Sequence, residues 1–341
     1  MNILQKFLFR TSGGPAPKNK EIGYGHLFRS ISLAKSLKTK NIFFAIEDYG
    51  GSKKILKKNG FQNIKILKKN LSLKSDIRET KKIILEKNID VLIIDQRKIL
   101  HGYLNELNRF AKSVVIFDIY DYDFPSDLII NGFIGFKNQI KKNKFNKKCL
   151  LGPKYFILDK RYSTKIVKAK KNDILVTFGG FDVSKLVETF LFSAEEFLND
   201  ISVKIILGPG TKQNKIIENF QKKYKNLKII QASFDMHKEI SDSKFGICAG
   251  GFTTYEFAAL GVPFAIISQV PHQLITAKKW EKLGVAKNLG LINNNTGKKI
   301  TNLVRILQDK NFVLKPIKSH IDGLGVKRVS RQIKNLQKDN L

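Results

Sequence analysis

Between Cys248 and Ile267 the chain reads CAGGFTTYEFAALGVPFAII, and these residue types suit one kind of chemistry. A short apolar strand leads through Gly250, Gly251, Phe252, Thr253 and Thr254 into a helix with Glu256 on its first turn. The helix ends at Gly261, and a second apolar strand follows Pro263. Paired glycines let the backbone approach a ligand closely, and a helix N-terminus offers unpaired N–H groups to a phosphate. One turn into the helix, Glu256 is placed to accept hydrogen bonds from paired sugar hydroxyls. A unit with a diphosphate end and a ribose end predicts a nucleotide-sugar grip.

A second stretch, IGYGHLFRSISLAKSL (22–37), puts a flexible loop containing Gly23 and Gly25 before His26, where a helix begins. The positive end of a helix dipole favours the neutral imidazole, which can take a proton from water. A capping or packing histidine is the alternative reading of His26, and the residues alone leave both open. Gly179 and Gly180 end a strand in VTFGGFD, either as a tight strand-to-helix turn or as a further backbone contact to a diphosphate. Asp95 terminates the wholly apolar VLIID and is a ligand-facing candidate. Asp118, Asp121, Asp123 and Asp127 crowd another strand end, but their spacing matches no calcium loop, and turn roles account for about half of them. ILGPG (206–210) reads as a plain loop.

These residues need elements to hold them. Apolar runs alternate with amphipathic helical segments along the whole chain, which predicts parallel α/β architecture. KFLFRT, NIFFAI, IKIL, VLIID, SVVIFD and LIIN are the strands of a first half, and DILVTFGG restarts the pattern for a second. The sequence divides into an N-terminal Rossmann-like domain over 1–155 and a C-terminal one over 156–341, with the crossing in the basic, irregular 145–172 segment. Two doubly wound domains facing a cleft result, and ligands of such sheets bind beyond the carboxyl ends of the strands.

Composition narrows the class. A 341-residue chain with 42% hydrophobic residues and 25 phenylalanines can build two cores and is not disordered. The net charge of +33 invites a nucleic-acid reading, but the lysines are spread along the chain and no aromatic-interleaved RNA motif or clear helix-turn-helix occurs. A nucleic-acid partner is therefore not expected, although a basic surface suits anionic ligands or proximity to an anionic membrane face. The densest run, KNQIKKNKFNKK (137–148), reads as a solvated surface segment. No apolar run reaches the roughly 20 residues a transmembrane helix needs. MNILQKFLFRTS reads as a first strand rather than a signal peptide. Two distant cysteines outside any metal or redox spacing fit a reducing cytoplasm, and neither metal nor cofactor is implied.

Together, GYGH-x-x-R after the first strand and GGFTTYEFAALGVP later resemble the UDP-sugar hydrolase family of the pseudaminic acid pathway. That family cleaves UDP-2,4-diacetamido-2,4,6-trideoxy-β-L-altrose and is itself similar to the GT-B glycosyltransferase that makes lipid II. The resemblance covers nearly the whole chain, including LLGPKYFIL and HQLITAKKWEKLG. It implies a GT-B fold and a UDP-sugar substrate, with His26 activating water for attack at the anomeric carbon as UDP leaves. It implies that Gly250, Gly251, Phe252, Thr253 and Thr254 hold the diphosphate and that Glu256 binds the ribose. The segment from Phe234 to Met236 would read uracil, and His272 and Gln273 would lie near the donor sugar. The chain departs from the pattern at Ser12, where an aspartate is common, and at Gln96–Arg97, where His-Tyr is usual. It departs again at Asp118–Ile119, in place of paired aspartates. A GT-B glycosyltransferase with the same donor grip is the alternative.

Overall fold

The computed structural model describes residues 5–14, 23–164, 171–233, 235–309 and 321–336. The chain forms two compact units, one of Met1–Lys160 with Gly323–Leu341 and the other of Arg161–Asp322.

In the first unit the strands are β1 (Phe7–Gly13), β2 (Ile42–Asp48), β3 (Ile64–Leu67), β4 (Val91–Asp95), β5 (Lys112–Ile116), β6 (Leu128–Asn131), β7 (Gln139–Lys142) and β8 (Lys148–Leu151). They lie in the order β3-β2-β1-β4-β5-β6-β8-β7. Every neighbouring pair is parallel except β7 with β8. Buried on both faces, the inner strands are continuous apolar runs, which is why VLIID and LIIN mark their own boundaries. The basic run 137–148 is exposed along most of its length, as the sequence leads one to expect. It contains an edge strand whose exposed Gln139, Ile140 and Lys142 leave no apolar face to read, and lysines on an edge discourage pairing with other chains.

The helix Gly25–Leu37 follows β1. Leu27, Ile31 and Ala34 recur at helical spacing, and with Leu33 and Leu37 they form its buried side. It stops at Lys38, whose φ of 53° places it in the left-handed region while its N–H bonds the carbonyl of Lys35. No side chain caps the other end at Tyr24. Against this helix packs the helix Gly25–Leu37's distant partner, Gly325–Lys334, which buries Val326, Val329 and Ile333. Ser36 Oγ donates to Ser330 Oγ at 2.9 Å, and Arg328 Nη1 to the Lys154 carbonyl at 2.9 Å. The tail helix is therefore part of the first unit, whereas the sequence assigns all of 156–341 to the second domain; the division also falls after Lys160 rather than 155.

In the second unit the strands are β9 (Asn172–Thr177), β10 (Val203–Leu207), β11 (Leu227–Gln231), β12 (Ser243–Cys248), β13 (Phe264–Ser268) and β14 (Ala286–Leu291). Their order is β11-β10-β9-β12-β13-β14, all parallel. Edge strand β14 is not among the expected strands, because Lys287, Asn288 and Gly290 interrupt its apolar pattern. Each sheet reverses its winding once, between β1 and β4 and between β9 and β12. Both units are doubly wound, the class the sequence predicts, and such reversals are where ligands bind in this architecture.

Candidate functional site

At the reversal point of the first sheet, Thr11 on β1 stands in register with Asp95 at the end of β4. Asp95 is fully buried, and His26 and Arg29, one turn apart on the helix Gly25–Leu37, both turn toward it. His26 Nδ1 lies 2.6 Å from Asp95 Oδ1. Arg29 donates through Nε to Oδ2 at 2.9 Å and through Nη2 to Oδ1 at 2.6 Å. Through Nη1 it also donates to Asp118 Oδ1 at 2.7 Å. A carboxylate only accepts, so Nδ1 carries the proton in the His26–Asp95 bond and Nε2 is the imidazole's basic atom. The imidazole is 18% exposed, so solvent reaches it. Burial would push the Asp95 carboxyl up, but Arg29 and His26 beside it hold it below the usual carboxylate range. Arg29, buried yet flanked by Asp118 and Asp95, is held above its ordinary value.

Gly23, with φ of 63°, and Gly25 shape the approach to His26, and the Gly14 N–H donates to the Gly23 carbonyl at 3.0 Å. The sequence reads Asp95 as ligand-facing; its carboxylate is instead buried and bonded by His26 and Arg29. The GYGH-x-x-R motif by itself assigns Arg29 no role, although its i, i+3 spacing from His26 places both on one helix face. The remaining aspartates are spent locally: Asp127 accepts from the Ser113 N–H at 2.9 Å and Asp121 from the Asp123 N–H at 3.1 Å. Among the described residues no group of three or more His, Cys, Asp or Glu side chains could hold a metal ion. A second buried ionic group has no sequence signal, since Arg10 sits inside an apolar strand. It bonds Glu47 at 2.5 Å and Asp76 at 3.0 and 2.7 Å.

At the reversal point of the second sheet, β9 and β12 end side by side, with Thr177 in register with Cys248. Gly179, with φ of 82°, and Gly180 follow β9. ILGPG is more than a plain loop: a Cβ on Gly208 would lie 2.0 Å from the Gly179 carbonyl oxygen, so only glycine lets the two turns pack. After β12, a Cβ on Gly250 would lie 2.7 Å from the Gln273 carbonyl oxygen, whereas one on Gly251 would meet nothing within 4 Å. Gly250 is thus fixed by packing and Gly251 faces open space. Phe252 and Thr253 are half-buried, and no side chain caps the helix Thr253–Leu260.

Thr254 differs from its assignment to the diphosphate. It is fully buried, its hydroxyl donating to the Gly251 carbonyl at 2.7 Å and accepting from Trp280 Nε1 at 3.0 Å, so its side chain braces the turn from within. Gln273 is half-buried, its Oε1 accepting from the Gln269 N–H at 2.9 Å. Gln269 Nε2 in turn donates to the Phe178 carbonyl at 2.9 Å, tying this segment to the Gly179–Gly180 turn. His272 is exposed in the first turn of the helix Pro271–Lys282.

Glu256 is buried, and Tyr162 donates to its Oε1 at 2.5 Å. The Tyr162 ring also packs edge-on against His237, with centroids 5.2 Å apart. Tyr162 thereby joins the Glu256 helix to the helix Met236–Ser241, which starts at the half-buried Met236 and is capped by Asp235. Phe234 lies outside the described residues. Nothing in the spacing around Tyr162 announces this role, because it arises from a contact 94 residues away in the chain.

No family model matches the chain. It is 26% identical to the spore coat polysaccharide biosynthesis protein SpsG of Bacillus subtilis over 345 residues, covering 94% of this chain and 97% of that one. It is 30% identical to the uncharacterized protein MJ1062 of Methanocaldococcus jannaschii over 276 residues, covering 73% of this chain. That match spans about half of MJ1062, 54% of its length. Among solved structures, Acinetobacter baumannii MurG matches with a TM-score of 0.62 at 16% identity, covering 97% of this chain and 100% of that chain. The S. aureus MnaA–UDP structure matches with a TM-score of 0.63 at 12% identity, covering 97% of this chain and 96% of that chain. The two α/β units are therefore of the GT-B type.

Proposed function

We propose that the protein is a metal-independent, cytoplasmic hydrolase that cleaves a UDP-linked acetamido sugar to UDP and the free sugar, in nonulosonic acid synthesis of the pseudaminic type. The observation that carries this reading is the His26–Asp95 pair, 2.6 Å apart at the reversal point of the first sheet. In this account His26 Nε2 takes a proton from water. The water oxygen bonds to the anomeric carbon as the bond from that carbon to the diphosphate oxygen breaks. Asp95 holds the productive tautomer and stabilises the imidazolium that forms. The turn from Gly250 to Thr253 holds the leaving diphosphate through backbone N–H groups, with the Gly179–Gly180 turn beside it, and Glu256 binds the ribose. A nucleoside diphosphate is already a good leaving group, so a second carboxylic acid of the glycosidase kind is not required.

The SpsG match and the UDP bound in the MnaA structure support a UDP-sugar substrate. The name of the B. subtilis relative, a polysaccharide biosynthesis protein, favours one second reading: transfer from the same donor to an acceptor in surface polysaccharide synthesis. Incubation with a panel of UDP-amino sugars, with UDP followed by chromatography, separates the two. Release of UDP with water as the only acceptor supports the hydrolase; release only on adding an acceptor supports transfer.

A further inference from the structure

Just beyond β5 the chain passes through Asp118, Ile119 and Tyr120, and Ile119 has a φ of 60°. A β-branched residue in the left-handed region is an outlier that persists only where its surroundings impose it. Asn131, fully buried at the end of β6, imposes it here. Its Nδ2 donates to the carbonyls of Ile119 at 2.8 Å and Asp121 at 2.7 Å, while its Oδ1 accepts from the Phe133 N–H at 3.0 Å. The forced turn leaves the side chains on either side of Ile119 facing solvent. Asp118 is 49% exposed although Arg29 holds it, and Tyr120 is 47% exposed. The Tyr120 ring is braced by edge contacts to Phe133, centroids 5.0 Å apart, and Phe136, 5.9 Å apart.

This pair stands beside the His26 centre. Asp118 Oδ2 and His26 Nδ1 touch the same Arg29 nitrogen, Nη2, at 3.3 and 3.2 Å. A carboxylate fixed in place accepts hydrogen bonds and donates none, and a braced aromatic ring offers a flat apolar surface. A pyranose presents both complements, an apolar ring face and hydroxyl or amide N–H donors around its rim. We propose that Asp118 and Tyr120 form the sugar-reading surface of the first unit, with the ring against the apolar face of the sugar and Asp118 accepting from a hydroxyl or amide N–H. The inference rests on the UDP-sugar reading and adds to it the residues that select the sugar.

The test is calorimetric titration of the full chain with UDP, UDP-N-acetylglucosamine and UDP-glucose, for wild type and for Tyr120→Ala, Tyr120→Phe and Asp118→Asn. The wild type binds at least one UDP-sugar more tightly than UDP. Tyr120→Ala weakens that UDP-sugar at least about fivefold, Tyr120→Phe restores it, and UDP affinity stays within about twofold throughout. Asp118→Asn gives a similar sugar-dependent loss. Because it also touches Arg29, the two Tyr120 variants carry the decision. Equal affinity of wild type and Tyr120→Ala for every UDP-sugar overturns the inference while leaving the UDP-sugar reading standing, as does a wild type that binds no UDP-sugar better than UDP. A wild type that binds no UDP at all overturns the underlying reading and the inference with it.

Discussion

His26 Nδ1 and Asp95 Oδ1, 2.6 Å apart, join the start of the helix after β1 to the end of β4, 69 residues further along. The bond sits where the first sheet reverses its winding, and it leaves Nε2 as the basic atom. Asp95→Asn presents an amide in place of the acceptor and frees the imidazole to take the wrong tautomer. The expected outcome is a fall in turnover of about 10³–10⁴-fold with UDP affinity unchanged. Steady-state kinetics beside a UDP titration checks it, and an unchanged turnover number contradicts the orienting role.

The same carboxylate links stability to acid. Its folded value is depressed, so its contribution is complete above the unfolded value of about 3.9 and is lost as pH falls through the folded value. Wild-type stability should therefore decline more steeply than that of Asp95→Asn between about pH 5 and pH 3. Urea midpoints across that window test the sign; parallel curves contradict it.

Asn131→Ala removes three hydrogen bonds inside the first unit and leaves the Ile119 and Asp121 carbonyls and the Phe133 N–H without this partner. The expected loss is about 2–4 kcal/mol of unfolding free energy, from the cost of unpaired buried polar groups. Chemical denaturation measures it.

The two glycines after β12 separate packing from ligand approach. Gly250→Ala drives a methyl group into the Gln273 backbone and should cost about 1–3 kcal/mol of stability. Gly251→Ala meets no protein atom, so its melting temperature should stay near wild type while UDP affinity falls as the methyl group obstructs the diphosphate. Unchanged UDP affinity in folded Gly251→Ala contradicts the assignment of this turn.

Glu256→Ala should weaken UDP binding by about 1–3 kcal/mol, because the ribose hydroxyls lose their acceptor. Tyr162→Phe should reproduce part of that loss, since Tyr162 holds one oxygen of the same carboxylate. Titration calorimetry with UDP reads both variants, and a Glu256→Ala protein with wild-type affinity contradicts the ribose role.

The sequence disclosed most where burial is two-sided and contacts are local. VLIID and LIIN were legible because inner parallel strands are continuous apolar runs. The glycine turns were legible because backbone approach needs that residue type. What stayed hidden depends on partners far apart in the chain. Thr254 reads as a ligand residue until Trp280 is seen to claim its hydroxyl. Asp118 passes for a turn residue because Arg29, 89 positions away, gives it its place. The tail helix carries a clear amphipathic pattern, but no pattern states which unit its apolar face will cover.

The central claim is hydrolysis at the anomeric carbon with His26 as the base, and cleavage of a UDP-amino sugar in H₂¹⁸O tests it most directly. Wild type should release UDP without any acceptor and place the label in the free sugar. His26→Ala should still bind UDP but lose at least about 10²-fold in rate. Label in the UDP, UDP release only with an added acceptor, or a wild-type rate in His26→Ala would contradict the account.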